Sequence, residues 1–315
     1  MLEPNDLFLL ILTGLQKGAI YALIALGLTL IFGTLGVVNF AHGAFFMVGA
    51  YLTLAVGSQV GFIPAIVIVP ILMFIIGVIM ERGLIRYFYD RPHTDQILVT
   101  FGVAIVTVEV MKAIFGANAL PTQLPSWGQG QVLFYETAAK VPDNPFFNKM
   151  WQIPAPFLDG NVFFSKWRAL LIFISIGVVG SLFALLQFTR FGLVVRAGMR
   201  DPLMLRFLGI NITQKFTLVF GLGALLAGIA GVFGYPVSGV NPEVGMNWLV
   251  PSFLVVVIGG MGSLTGAVLA SLLLGMALAF SAEYSAIQQI AIYLVAVVVL
   301  LVRPRGLLGQ KGVME

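Results

Sequence analysis

The sequence contains no cysteine and only two histidines, His42 and His93, among 315 residues. Disulfides, thiol nucleophiles and thiolate metal sites are therefore excluded. The two histidines are far apart and share no ligand spacing with a carboxylate pair. Charge is scarce as well: 10% of residues are charged and 59% hydrophobic, with a mean hydropathy of +1.02. A soluble domain carries about 25% charged residues, so this composition cannot cover a surface facing water. No Gly-x-x-x-x-Gly-Lys-Ser/Thr phosphate loop is present, so any ATP used must be bound by another chain. No cofactor or metal site follows from the residues. The net charge of +4 would suggest nucleic acid in a soluble protein. Here the basic residues crowd into short loops, which is a topology signal, and no nucleic-acid partner is expected. The start, Met1 to Asp6, is acidic and lacks a basic n-region, so no cleaved signal peptide is expected.

Long apolar runs are what the chain has in quantity. Crossing a hydrocarbon core of about 30 Å takes about 20 residues. Runs of that kind recur at 43–57, 62–80, 96–116, 167–188 and 213–235, and 247–302 reads as two or three crossings interrupted near 259–263 and at Glu283. The first segment has two parses. A helix begun at Leu7 places Lys17 near mid-membrane, where a lysine is costly. The preferred parse makes 7–17 an interfacial helix and starts the span at Gly18. The expected fold is all-α: one polytopic transmembrane bundle over 1–315, with eight or nine spans.

Arginines mark the loops expected in the cytoplasm: Arg82, Arg86 and Arg91; Arg190, Arg196, Arg200 and Arg206 with Lys215; and Arg303, Arg305 and Lys311 in the tail. An odd number of crossings before Arg82 puts the N-terminus outside and the C-terminus inside. The 116–166 segment, rich in proline and aromatics, reads as a partly ordered external insertion, and 189–212 as a cytoplasmic loop. Pro236, Asn241, Pro242 and Glu243 read as an external turn.

Most of the 36 glycines, such as Gly14-x-x-x-Gly18, fit close helix packing. Two clusters fit broken helices lining a pathway instead: Gly36 to Gly43, which contains Asn39 and His42, and Gly259 to Gly266, which contains Gly260, Gly262 and Ser263. Their placement in opposite halves suits an inverted repeat. Asn39, His42, Gly43, Gly259, Gly260, Gly262 and Ser263 are thus the candidate translocation residues, with a turn at the membrane edge as the alternative for Asn39 and His42. Glu109 and Lys112 are spaced to pair with each other on one helix.

The stretch Arg200-Asp201-Pro202-Leu203-Met204-Leu205-Arg206-Phe207-Leu208-Gly209 encodes a short capped helix. Asp201 fits the N-cap, Pro202 the first turn and Gly209 the position past the end. Leu205 and Leu208 are expected on one side. A helix this short is not stable alone in water, so it docks on its own subunit or on a partner.

Five motifs in order resemble the permeases of branched-chain amino-acid ABC importers, specifically the LivH-like subunit: Gly18 to Gly33 leading into Val38-Asn-Phe-Ala-His-Gly43; Glu81-Arg82; Leu98 to Gly102; Asp201 to Asn211; and Val255 to Val268. The resemblance implies a second homologous permease, two cytoplasmic ATP-binding subunits, an extracytoplasmic solute-binding protein and a lipid environment. It also implies that the Asp201 to Gly209 helix couples to an ATPase. Ala44 and a long external segment depart from the pattern and leave open urea or short amides as cargo. A stand-alone secondary transporter is the rival reading, disfavoured by the scarcity of intramembrane carboxylates. A membrane enzyme ranks last, for want of a nucleophile–base set.

Overall fold

The computed structural model describes residues 3–137, 150–200, 202–282 and 285–309. The first helix, α1 (Pro4–Leu35), runs unbroken for 32 residues, about 48 Å at 1.5 Å per residue. That exceeds a hydrocarbon core by several turns. The surplus lies at its start, where Phe8 and Leu9 pack on Ala155, Leu158 and Val162 of the 116–166 insertion. Asn5 Nδ2 donates to the Asp159 carbonyl at 2.7 Å there. Residues 7–17 are therefore not a separate interfacial helix. Lys17 is spared the membrane centre because α1 begins well outside it.

The other long helices are α2 (His42–Val60), α3 (Phe62–Gly83), α4 (His93–Phe115), α5 (Lys166–Phe188) and α8 (Ile212–Ser238). With α1 they make six helices long and apolar enough to span a membrane among the described residues. Three shorter apolar stretches lie in α9 (Val244–Gly259), α10 (Leu264–Phe280) and α11 (Ser285–Val302). Between α5 and α8 lie two small helices, α6 (Arg190–Arg200) and α7 (Pro202–Phe207). Glu283, expected to interrupt the last crossings, lies outside the described residues. Pro236 is not in a turn but inside α8.

The helical bundle is the one the hydropathy pattern implies. The insertion adds what the pattern did not reveal, a three-stranded sheet: β1 (Gln131–Tyr135), β2 (Trp151–Pro154) and β3 (Asn161–Ser165) in the order β2-β1-β3. β1 pairs parallel with β2 and antiparallel with β3. Beneath it, Trp167 is buried, its indole N–H donating to the Phe233 carbonyl at 3.0 Å, with Trp127 and Phe62 against its ring.

Two units of three helices, α1–α2–α3 and α8–α9–α10, share one local design. Each long first helix ends at a left-handed glycine, Gly36 (φ 67°) and Gly239 (φ 76°), whose N–H returns to the carbonyl four residues back. A short irregular link follows in each, and an asparagine starts the second helix in the same way. Asn39 Oδ1 accepts from the Ala41 N–H, and Asn241 Oδ1 accepts from the Glu243 N–H, both at 3.0 Å. The asparagine carbonyls accept from His42 and Val244 at 3.3 and 3.2 Å. Each unit packs through its neighbour, α3 against α8 and α10 against α1. Gly14-x-x-x-Gly18 serves that second contact, with Met276 and Leu272 across from it. In local geometry Gly36–Gly43 matches Gly239–Gly245, whereas the sequence suggested Gly259–Gly266 as its counterpart.

Candidate translocation and coupling sites

The centre of the bundle is where α2 and α9 start. Gly43 and Gly245 face each other backbone to backbone: a Cβ on Gly245 would sit 2.6 Å from the Gly43 carbonyl oxygen, and one on Gly43 would strike the Gly245 carbonyl. Asn39 and His42 are 1% and 0% exposed, so the turn they form is in the core rather than at a wet membrane edge. The imidazole Nε2 bonds to the Ile24 carbonyl at 3.0 Å, tying the start of α2 to the middle of α1. Among the described residues, Asn39 Nδ2 and His42 Nδ1 have no partner, nor do the buried hydroxyls of Thr29 and Ser252. Buried polar groups without partners are rare and costly. These four fall in the α1, α2 and α9 segments, which makes this junction the candidate pathway element.

The second cluster lies elsewhere. Gly259 ends α9, Gly260 and Gly262 have φ of 97° and 84°, and Ser263 Oγ caps α10 by accepting from the Gly266 N–H at 3.1 Å. Gly262 sits against Gly33 at the end of α1, while Gly260 sits under the tail at Arg305 and Gly309. The Leu307 and Leu308 N–H groups donate to the Ile258 and Gly259 carbonyls at 2.7 and 3.1 Å, satisfying the last carbonyls of α9. The two candidate clusters thus belong to different contacts: one is the helix-start junction, the other a seam at the basic end of the bundle.

That seam adjoins the small helices. A cleft of about 270 Å³ is bounded by Leu186 and Gln187 of α5, Val195 and Arg196 of α6, and Ser263 and Thr265. The helix expected over Asp201 to Gly209 is α7. Gly209 has φ 74°, and the Ile210 N–H returns to the Leu205 carbonyl at 3.1 Å, the six-to-one bond of a Schellman cap. Arg200 closes α6, while Pro202, Leu203 and Arg206 lie on α7. Asp201, the expected N-cap, lies outside the described residues. Leu205 and Leu208 do not share a side. Leu205 is 6% exposed, its Cδ1 over Gly198 of α6, while Met204, Phe207 and Leu208 are 61%, 85% and 74% exposed. Helical spacing over so few residues turns Leu205 inward and leaves the other three exposed.

One polar cluster was not foreseen, although its first residue stands in a quoted motif. Glu81, at the end of α3, is completely buried. Its carboxylate accepts from Thr217 Oγ1 and Tyr89 OH, both at 2.6 Å, and from Arg86 through Nε and Nη2 at 3.3 Å each. Arg86 Nη2 also donates to Thr217 Oγ1 at 3.0 Å. Burial first, then the bond to Glu81, push the Tyr89 phenol well above its usual range. The cluster clamps α3 to the start of α8, just beyond α7. A carboxylate closing an apolar span, with an arginine five residues on, was the available signal. Glu109 and Lys112 pair as expected, at 2.8 Å.

At the opposite end, a cleft of about 290 Å³ opens beneath the insertion between Thr53, Ser58, Phe62, Gln123, Leu124 and Tyr235. The Tyr235 hydroxyl donates to the Gln123 carbonyl at 3.0 Å across it.

Comparison with known proteins agrees with this architecture. Residues 10–303 match the family described as branched-chain amino acid transport system / permease component. The chain is 31% identical, over 96% of both sequences, to the high-affinity branched-chain amino acid transport system permease protein BraD of Pseudomonas aeruginosa. It is 29% identical, over 95% of this chain and 94% of the relative, to LivH of Escherichia coli. To LivM of Escherichia coli, another permease protein of such a system, it is 24% identical over 92% of this chain and 68% of that one. No solved structure matches. With a family match over nearly its whole length and the helical bundle that such a permease needs, the chain belongs to the branched-chain amino acid transport permeases of the ABC type and is a multi-pass membrane protein.

Proposed function

We propose that this chain forms half of the pathway of an ATP-driven importer that moves branched-chain amino acids into the cytoplasm. A second, homologous permease supplies the other half. Two ATP-binding subunits drive the pair, and an extracytoplasmic solute-binding protein delivers the cargo. The observation that carries the reading is α7: a short helix with three large apolar side chains exposed, beside Arg196 and Lys215, at the end of a membrane bundle. Apolar surface of this kind on a basic loop calls for a protein partner. The positive-inside rule places that end, with Arg82, Arg86, Arg303 and Arg305, in the cytoplasm, and the N-terminus and sheet outside.

Closure of the ATPases displaces α7. The displacement reaches the bundle by two routes, through Thr217 and Glu81 to α3, and through α6 to the Ser263 seam. The repeated units then rock about the Gly43–Gly245 contact, and access alternates. Asn39 Nδ2 and His42 Nδ1 gain partners when that junction opens. The outer cleft is lined by apolar, hydroxyl and amide groups without formal charge, which suits a net-neutral solute with an apolar side chain.

Uptake of labelled leucine in cells lacking and then regaining the chain tests the reading, with unlabelled valine, urea and ribose as competitors. Restored uptake blocked by valine alone supports it. Transport of urea in place of leucine overturns the substrate and leaves the permease.

A further inference from the structure

Helices α1, α5 and α10 part near the middle of the bundle and leave a groove of about 410 Å³. Ala22, Ile172, Ile176, Gly180 and Leu272 line it, almost without polar surface. Its two hydroxyls are already committed: Ser175 Oγ donates to the Ala19 carbonyl at 3.0 Å, and Ser271 Oγ to the Val268 carbonyl at 2.7 Å. Nothing in the wall asks for a polar occupant. From Ile172 to Gly180 the groove runs about 12 Å along α5.

The outward end has the opposite character. Arg168 is exposed one turn before Ile172. Lys17, half-buried on α1, turns its ammonium toward the last turns of α10, 3.4 Å from the Leu278 carbonyl. Among the described residues neither has a carboxylate within ion-pair distance. Two unneutralised like charges at the rim of an apolar slot are stabilised by an anion that joins them, and membrane depth restricts the choice. We propose that the groove holds one anionic phospholipid, its phosphate between Lys17 and Arg168 and one acyl chain along α5 between α1 and α10. Hydrocarbon fits the wall, and the phosphate matches the two cations. Such a lipid would wedge α10 against α1, the contact on which one of the repeated units depends.

The test is native mass spectrometry of the assembled complex, titrated with dioleoyl phosphatidylglycerol or dioleoyl phosphatidylcholine. The wild type should take up one tightly held phosphatidylglycerol per chain and discriminate against phosphatidylcholine. Lys17→Gln with Arg168→Gln should weaken phosphatidylglycerol about thirtyfold, at the usual worth of a basic residue near a charged bilayer surface, and leave phosphatidylcholine unchanged. Gly180→Phe fills the slot from a position where a Cβ meets nothing within 4 Å. It should abolish tight binding although both cations remain, and it carries the test if the double variant fails to fold. Equal binding of the two lipids to the wild type overturns the proposal. So does a Gly180→Phe chain that binds phosphatidylglycerol normally but no longer assembles with the second permease, which would make the groove a protein interface.

Discussion

Replacing single glycines by alanine should have opposite signs at positions that differ only in what faces them. At Gly43 an added Cβ would meet the Gly245 carbonyl and come 2.7 Å from Leu249 Cβ. At Gly245 it would lie 2.6 Å from the Gly43 carbonyl and 3.2 Å from Met47 Cβ. Real carbon contacts are longer, and the obstacles are chiefly backbone, so α2 and α9 must move apart. Overpacking of this kind costs about 1–3 kcal/mol, more than the helix-propensity gain of up to about 1 kcal/mol. At Gly102 in α4 and Gly177 in α5 a Cβ meets nothing within 4 Å. There the propensity gain stands alone, and alanine should stabilise by about 0.4–1 kcal/mol. Thermal unfolding of the purified chain in detergent, followed by tryptophan emission, separates the two classes. Gly43→Ala and Gly245→Ala should unfold a few degrees lower, Gly102→Ala and Gly177→Ala at or slightly above the wild type. A Gly43→Ala chain as stable as the wild type would refute the backbone contact on which the repeat turns.

Other outcomes follow from the same geometry. Glu81→Ala should lower stability by about 1–3 kcal/mol, the usual cost of leaving a buried polar group, here the Tyr89 hydroxyl, without its partner. Glu81→Gln, which keeps the shape, should cost less but still weaken the coupling of ATP hydrolysis to uptake in reconstituted complexes. The folded chain keeps the Tyr89 proton at pH values where the unfolded chain has released it, so stability should fall as pH rises past the ordinary tyrosine range, near 10. Tyr89→Phe should flatten that fall in unfolding scans taken across alkaline pH. Phe207→Asp should leave insertion and folding intact while releasing the ATP-binding subunits from a pull-down. Leu205→Asp should instead destabilise the loop itself, because Leu205 is buried against α6.

The helices were legible because the membrane demands long apolar runs and leaves little freedom in where they start. The count near Lys17 was harder, since nothing local shows that α1 continues above the membrane to meet a sheet formed more than 120 residues later. That sheet was hidden for a related reason: β1 and β2 pair in parallel, so their registry depends on long-range closure rather than on a hairpin turn. For the site, Asn39, His42 and Gly43 were recognisable as glycine-flanked polar groups inside apolar sequence. Their counterpart was misplaced because Gly259–Gly266 is the richer glycine cluster, whereas the true partner, Gly239-Val-Asn-Pro-Glu-Val-Gly245, resembles Gly36–Gly43 only in its asparagine and glycine spacing. In α7 the caps were readable, but six helical residues are too few to fix which leucine turns inward. Glu81 was passed over because burial of a carboxylate at a span end depends on Thr217, Arg86 and Tyr89 meeting it in three dimensions.

The most direct test of the central claim is leucine accumulation in proteoliposomes containing the assembled complex and its binding protein, energised either by ATP at the cytoplasmic face or by an imposed proton gradient alone. Accumulation that requires ATP, ignores the gradient and is lost in Phe207→Asp is the predicted result. Accumulation that follows the gradient without ATP would contradict it and make the chain a secondary transporter.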